Sequence, residues 1–296
     1  MTRVWKPLLG AMVALVAALP GSATDFSDGN IHKNDYKWVQ FNLMDSEKAR
    51  IPFGSQEDQY LEMEFGARSG IFDFYGYVDW FDIFNRKGDD RHATGSAANG
   101  TEVDQDNMFT KLAPRISLDA LFQRDLSFGP VKELYIANEM DIGDRRLWEQ
   151  YIGIGSDVMV PWLGKVGVNL MKRYVRENYG ADNEGRWDGY QLATNYFKPF
   201  IHFDNKTFVA YQGYLDYKFK ATNLRNDPND NGLHATHSVE WFNGFYWHSD
   251  RYALGYGLKV FNNMALVQDG GPTYNAAKPK QDTTGIGHYF SATYKW

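Results

Sequence analysis

The sequence contains no cysteine, which excludes a disulfide scaffold, a cysteine metal site and a cysteine nucleophile. Positive charge does not predominate either: 31 Lys and Arg against 37 Asp and Glu give a net charge of −6, and nothing favours nucleic acid as a partner. After residue 23 there is no apolar run long enough for a transmembrane helix. Helical periodicity is scarce as well, which argues against a helical protein of any class.

The first residues have the composition of a signal peptide. Arg3 and Lys6 give a basic start, and the apolar run 8–19 is followed by small residues suited to cleavage. The alternative is an uncleaved N-terminal anchor, for which the apolar run is short. We therefore predict a signal peptide over residues 1–23 and one exported domain over residues 24–296.

Aromatic residues are abundant, at 16% of the chain, and apolar and polar residues alternate with a period of two, as in β-strands with two different faces. About twelve such segments are recognisable. Each is roughly 9–13 residues long, the length that a tilted strand needs to cross a bilayer. They start near Tyr36, Asp58, Ile71, Met108, Val131, Trp148, Gly164, Trp187, Lys206, His237, Tyr252 and Thr283.

Short connections alternate with long polar ones, which cover residues 85–107, 221–236 and 263–282. The last residue is Trp296, and apolar residues alternate before it, which suits a closing strand whose outer face meets lipid. These features predict an all-β fold: a transmembrane antiparallel β-barrel of about 12 strands in the outer membrane of a Gram-negative bacterium.

A soluble β-sandwich is the alternative fold. It would not need aromatic residues at so many strand ends, where a barrel carries its aromatic girdles. The residues predicted to form the girdles are Trp80, Phe81, Trp148, Tyr151, Trp162, Trp187, Phe200, Trp241 and Trp296.

Signals for catalysis and for metal binding are weak. Ser156 does not lie in a G-x-S-x-G motif, and His234 and His237 have a spacing that places them on opposite faces of a strand. The stretch 227–232 matches the first half of a calcium loop, but Ser238 stands where the loop requires Glu. We predict no catalytic residues, no metal and no cofactor; a barrel-borne lipase remains the enzyme alternative.

The polar faces of the strands hold the informative residues, because in a barrel they point into the lumen. The predicted acceptors are Glu62, Glu64, Asp73, Asp79, Asp119 and Glu133; the donors are Lys111, Arg115, Lys165, Arg173 and Lys259; and the interleaved aromatics are Tyr75, Tyr77, Phe81 and Tyr135. One interpretation is a rigid plug of salt bridges. The other is a channel that stacks and hydrogen-bonds a flat, neutral, polar solute, as aromatic faces do with a nucleobase.

The segments "YLEMEFGARSGIFDFYGYVDWF", "PRISLDALFQRDLSFGPVKELYIAN" and "RWDGYQLATNYFKPF" and the aromatic end resemble those of the Tsx-like family of nucleoside-specific outer-membrane channels. The resemblance spans essentially the whole chain after residue 23. It implies a monomeric twelve-stranded barrel with a narrow lumen that passes nucleosides, and outer loops that serve as phage receptors.

On this basis we predict a non-enzymatic channel for facilitated diffusion of nucleosides. The residues predicted to line the solute path are Tyr75, Tyr77, Asp79, Phe81, Glu62, Glu64, Arg115, Glu133, Tyr135 and Arg173. The expected partners are nucleosides, outer-membrane lipid and lipopolysaccharide, the barrel-assembly machinery at the strand ending in Trp296, and a bacteriophage. A structural or receptor barrel with an occluded lumen is the alternative.

Overall fold

A computed structural model describes residues 26–51, 54–84, 95–96, 102–103, 107–143, 146–178, 180–222, 234–272 and 280–296. Twelve antiparallel strands form a closed barrel in which each strand pairs with its neighbours along the chain, and the last strand pairs with the first. The predicted signal peptide 1–23 and the stretch 227–232 lie outside the described residues.

The strands are β1 Tyr36–Ile51, β2 Gly54–Ser69, β3 Phe72–Trp80, β4 Met108–Ser117, β5 Val131–Gly143, β6 Leu147–Val160, β7 Gly164–Asn178, β8 Arg186–His202, β9 Phe208–Phe219, β10 His237–His248, β11 Tyr252–Asn262 and β12 Gly285–Lys295. A short helix α1 (Leu118–Phe122) follows β4, and a 3₁₀ turn (Met264–Leu266) follows β11. The two-residue strands Gly95–Ser96 and Glu102–Val103 pair with each other outside the barrel.

The period-two pattern sets the two faces of each strand. On β3, Phe72 is 60% exposed on the outer wall, whereas its neighbour Asp73 is 8% exposed and faces the lumen. An apolar row crosses the middle of the outer wall, where Ile154 of β6 is paired with Ile136 of β5 and Leu170 of β7. Outward apolar residues and inward polar residues are what a barrel in lipid requires.

Closure depends on the pairing of β1 with β12, which runs from Gln40 opposite Lys295 to Glu47 opposite His288. Register shifts interrupt other ladders, among them a shift at Pro199 between β8 and β9. Proline has no N–H to donate, so a bulge is one of the few places where a sheet accepts it.

The two ends of the barrel differ. The connections at the end where β1 starts and β12 stops are short, apart from 118–130; the opposite end carries the connections 81–107, 220–236 and 263–284. In outer-membrane barrels the short turns face the periplasm and the long loops face outside. Among the described residues, no helix is long and apolar enough to cross a membrane.

The predicted all-β barrel of about twelve strands is confirmed. Several strands are longer than predicted: β8, for example, spans 17 residues. Two girdle predictions were wrong. Tyr151 is completely buried in the lumen, and Phe81 packs inside against Tyr60, with ring centroids 5.4 Å apart.

Asp119 was predicted as a lumen acceptor, and this was also wrong. The strand ends at Ser117, whose hydroxyl accepts a hydrogen bond from Ala120 N, and α1 begins at the next residue. The Asp119 carboxylate therefore lies in the periplasmic turn, where it accepts backbone N–H groups from Leu126 (2.9 Å) and Leu134 (3.0 Å). Its role is to hold the turn together.

Candidate functional site: the barrel lumen

A salt-bridge network crosses the lumen. Lys111 of β4 places its Nζ 2.9 Å from Glu139 Oε1 on β5 and 2.8 Å from Asp216 Oδ2 on β9. Four strands separate β4 from β9 along the shorter arc of the ring, so the bond to Asp216 spans the interior rather than following the wall. Gln191 of β8 donates to the same Glu139 at 2.7 Å.

The same network continues around Arg173 of β7. Its guanidinium is 2% exposed, pairs with Glu149 of β6, and donates to Asp188 Oδ2 of β8 at 3.0 Å. Lys218 of β9 lies 2.8 Å from the second oxygen of Glu149. Charges so well enclosed remain ionised only when opposite charges and hydrogen bonds surround them, and each charge here has such partners.

A second network closes the periplasmic side of β2 to β6. Arg68 of β2 pairs with Glu133 of β5, and Ser117 donates to the same carboxylate at 2.5 Å. Arg115 bridges Asp73 (2.7 Å) and Asp157 (3.2 Å). The bonds from Arg68 to Glu133 and from Arg115 to Asp157 join strands that are not neighbours and make this part of the lumen rigid.

Phe26 covers this second network from below. Its side chain is completely buried, and the Arg68 guanidinium carbon lies 5.5 Å from its ring centroid. The segment is fixed to the first periplasmic turn by Asp35, which accepts a hydrogen bond from Gly70 N at 3.0 Å. The hydrogen bond from His32 to the Asp35 carboxylate, at 2.9 Å, keeps the pKa of Asp35 below its ordinary value.

The two networks fill the side of the lumen bounded by β4 to β9 and the periplasmic part bounded by β2 to β6. The remaining side is lined by β1 to β3 and by β9 to β12. Among its polar groups are the carboxylates of β2 that accept from β1: Asn42 donates to Glu62 at 2.5 Å and Gln40 donates to Glu64 at 2.5 Å. Tyr75 of β3 also donates to Glu64, at 2.9 Å.

An aromatic ladder runs along this side. It begins with Trp38 of β1 and continues through Tyr75 and Tyr77 of β3 to Phe109 of β4, with successive ring centroids 6.3, 6.3 and 6.0 Å apart. All four residues lie on the inward parity of their strands. Rings at this spacing offer successive faces on which a flat solute could stack.

A second aromatic patch, which we call the β10 patch, consists of Tyr214, Phe242, Tyr246, Phe261 and Tyr289. Phe242 packs against Tyr214 and Tyr289 with centroid distances of 5.9 and 6.1 Å. Lys259 Nζ lies over several of these rings, 5.1 Å from the Tyr289 centroid. Sequence reasoning missed this patch.

Inward glycines leave room for two rings of the β10 patch close against the wall. A Cβ at Gly255 would overlap Cε1 of Tyr246, the residue opposite it in the register, and a Cβ at Gly257 would overlap Cζ of Phe242. The rings therefore occupy space that any other residue would fill.

We expect Gly255→Ala to turn the Tyr246 ring away from the wall and into the lumen. Because the ring can move into the lumen, stability should fall by only about 1 kcal/mol, the low end of overpacking costs, while solute flux through reconstituted protein falls. Gly167→Ala is the control, since its Cβ would meet the Asn195 side chain on the other side of the barrel. Equal flux in wild type and Gly255→Ala would contradict this role of the patch.

The ten predicted lumen residues divide into two groups. Tyr75, Tyr77, Asp79, Phe81, Glu62 and Glu64 lie on the side lined by β1 to β3. Glu133, Tyr135 and Arg173 are exposed by 1%, 0% and 2%, and Arg115 is stacked 3.9 Å from the Tyr135 ring centroid. These four belong to the salt-bridge networks and present little or no surface to a solute.

Of the weak metal candidates, His234 lies 3.3 Å from Asn178 Nδ2 and His237 lies 3.4 Å from Asn263 Nδ2. Within the described parts of the chain, no group of three potential ligands is arranged to hold a metal ion.

Comparison with known proteins identifies the family to which the chain belongs. The model of the family described as "Nucleoside-specific channel-forming protein, Tsx" matches residues 33–296. The chain belongs to the Tsx channel family. Outer membrane protein OmpK of Vibrio parahaemolyticus is 46% identical to it over 98% of this chain and 99% of that protein. Nucleoside-specific channel-forming protein Tsx of Salmonella typhimurium is 30% identical, with 97% and 98% covered.

Membership of the Tsx channel family confirms three predictions made from the sequence. The protein is an outer-membrane channel, it resides in the Gram-negative outer membrane, and its relatives are channel proteins rather than enzymes. The closed barrel with an apolar outer wall agrees with each.

Proposed function

We propose that the channel admits nucleosides by facilitated diffusion along the side of the lumen lined by β1 to β3 and β9 to β12. The observation that carries the proposal is the pairing of an aromatic ladder with a strip of hydrogen-bonding carboxylates. Tyr75 belongs to both, because its ring stacks in the ladder and its hydroxyl donates to Glu64. A nucleoside has the matching halves: a flat base and a sugar rich in hydroxyl groups.

Each step would bind the solute weakly. Stacking of a base on one aromatic ring contributes about 1–3 kcal/mol, and the ladder supplies several rings in sequence. Glu62 and Glu64 accept hydrogen bonds from sugar hydroxyls. Weak successive sites allow the solute to leave as readily as it enters.

The salt-bridge networks have a supporting role in this proposal. They fill one side of the barrel and confine the path to the aromatic side, where the solute cannot avoid the rings. The alternative is an occluded structural or receptor barrel. The observation in its favour is the bond between Lys111 and Asp216 that crosses the interior. Two further proposals are separate from this one. They are that the outer loops bind a phage, and that the barrel-assembly machinery recognises the strand ending in Trp296.

The test is a comparison of solutes. Protein reconstituted in liposomes should pass adenosine or thymidine faster than a sugar of similar size, because only the nucleosides stack. Equal, slow leakage of both would contradict nucleoside passage and favour the occluded barrel. Hydrolysis of phospholipid by the pure protein would instead indicate an enzyme.

A single substitution tests the ladder. Tyr77→Ala should change nucleoside flux and reduce the preference for nucleosides over the sugar, because it removes the ring between Tyr75 and Phe109. Loss of about 1–3 kcal/mol of stacking at one step is the expected scale. Heat-modifiable migration on a gel checks that the barrel folds. Unchanged flux and unchanged selectivity in a folded variant would exclude Tyr77 from the path.

A further inference from the structure

Cations inside the barrel and cations on its outer wall differ in how well nearby carboxylates neutralise them. Most of the cations that face the lumen lie within ion-pair distance of a carboxylate; among them are Arg68, Lys111, Arg115, Arg173, Lys218 and Lys259. On the outer wall of β7, Lys172 has no carboxylate at that distance among the described residues, and Arg176 has only Glu177, at 3.8 Å. Two poorly neutralised cations on a wall that faces lipid require an explanation, because charge there is costly.

Aromatic residues place these cations at the outer edge of the membrane. Lys172 Nζ lies 5.2 Å from the ring centroid of Trp187, and the Arg176 guanidinium carbon lies 3.7 Å from that of Trp148. Tyr174, between them on the same face, packs against Trp187 at 5.3 Å. Trp and Tyr concentrate at the membrane–water boundary, and this end of the barrel is the one that carries the long loops.

The surface is also accessible. Lys172 is exposed, the side chain of Arg176 is 52% exposed and Trp187 is 50% exposed. The two residues are four positions apart on one strand face, which separates their Cα atoms by about 13 Å. The rings of Trp187 and Trp148 hold the Lys172 ammonium and the Arg176 guanidinium against the wall. The outward N–H groups of both cations remain available to a ligand.

We propose that Lys172 and Arg176 bind the phosphate groups of one lipopolysaccharide molecule in the outer leaflet. Lipid A, its membrane anchor, is a disaccharide that carries a phosphate at each end and acyl chains below. The phosphates meet the two cations, the sugar rings lie against Trp187 and Tyr174, and the acyl chains follow the apolar row at Ile154 and Leu170. Lys and Arg are the side chains best suited to phosphate oxygens.

The test measures retention of lipid A by native mass spectrometry of the full chain folded in detergent micelles. Wild type should bind one molecule of bisphosphorylated lipid A. Lys172→Gln combined with Arg176→Gln should weaken binding by about thirtyfold, the effect of losing two basic residues at an anionic lipid surface. The charge-conserving pair Lys172→Arg and Arg176→Lys should bind as wild type does.

The matched control removes two charges from the other rim of the same wall. Lys37 and Lys198 face outward near the periplasmic ends of β1 and β8, and Lys37→Gln with Lys198→Gln should leave lipid A binding unchanged. Wild type should bind lipid A without phosphates as weakly as the Lys172→Gln, Arg176→Gln variant binds the phosphorylated form. Equimolar inorganic phosphate should not displace lipid A.

Three results would overturn the site. They are an equal loss of binding in the two double glutamine variants, equal affinity for lipid A with and without phosphates, and displacement by equimolar inorganic phosphate, which would indicate a simple anion site. None of these results depends on solute passage, so the proposal stands or falls separately from the proposed function.

Discussion

Arg173→Met is expected to destabilise the barrel by about 3–5 kcal/mol, the cost of removing one partner from a buried ion pair. The guanidinium is 2% exposed and holds both Glu149 and Asp188. Methionine fills a similar volume but leaves the carboxylates facing each other, with Lys218 as the remaining cation beside Glu149. Urea unfolding of protein in phosphatidylcholine vesicles measures the change.

The control lies three residues along the same strand. Arg176→Met removes the same charge from the outer face, where the side chain is 52% exposed, and in vesicles without lipopolysaccharide its effect should stay within about 0.5 kcal/mol. Combining Arg173→Met with Glu149→Gln should recover part of the lost stability, because the second substitution removes a carboxylate charge that Arg173→Met leaves without its partner. Similar losses for Arg173→Met and Arg176→Met would contradict the assignment of the two faces.

Ile154→Arg is expected to cost about 2–4 kcal/mol, as a cation does at the midplane of the bilayer. Ile154 is 70% exposed, lies near the centre of β6 and belongs to the apolar row with Ile136 and Leu170. In water an exposed Ile→Arg change would be nearly neutral, so the loss measures lipid contact directly. The readout is again urea unfolding in vesicles.

The control for this prediction is an outward isoleucine nearer the edge of the membrane. Ile286 lies at the extracellular start of β12 and is 50% exposed, so Ile286→Arg should cost only about 0–1 kcal/mol, because charge near the interface remains hydrated. A cost for Ile154→Arg no greater than that for Ile286→Arg would mean that the apolar row does not face the hydrocarbon core.

Much of the barrel could be predicted from sequence because a strand has only two faces. The alternation in β3 alone separates Asp73, Tyr75, Tyr77 and Asp79 from Phe72 and Trp80, and the structure keeps that division. Tyr151 was misassigned for a different reason. It shares its inward parity with Glu149, and parity decides which face a residue occupies even near the end of a strand.

The partners across the lumen could not be predicted. The bond from Lys111 to Asp216 joins residues 105 positions apart, and their meeting depends on strand tilt, register and the side-chain rotamers together. The β10 patch did leave a trace, since Gly244, Gly255 and Gly257 all lie on inward parities. The pairing of Gly255 with Tyr246 requires the register of β10 against β11, which the sequence does not specify.

The central claim, that the lumen itself binds nucleosides, is tested most directly by ion current through single barrels in a planar bilayer. Adenosine occupying the aromatic side should obstruct ions, so the current should fall in a saturable way as adenosine is added. Ribose, which lacks a base to stack, should leave the current unchanged at equal concentration. A current that adenosine and ribose affect equally would contradict the account.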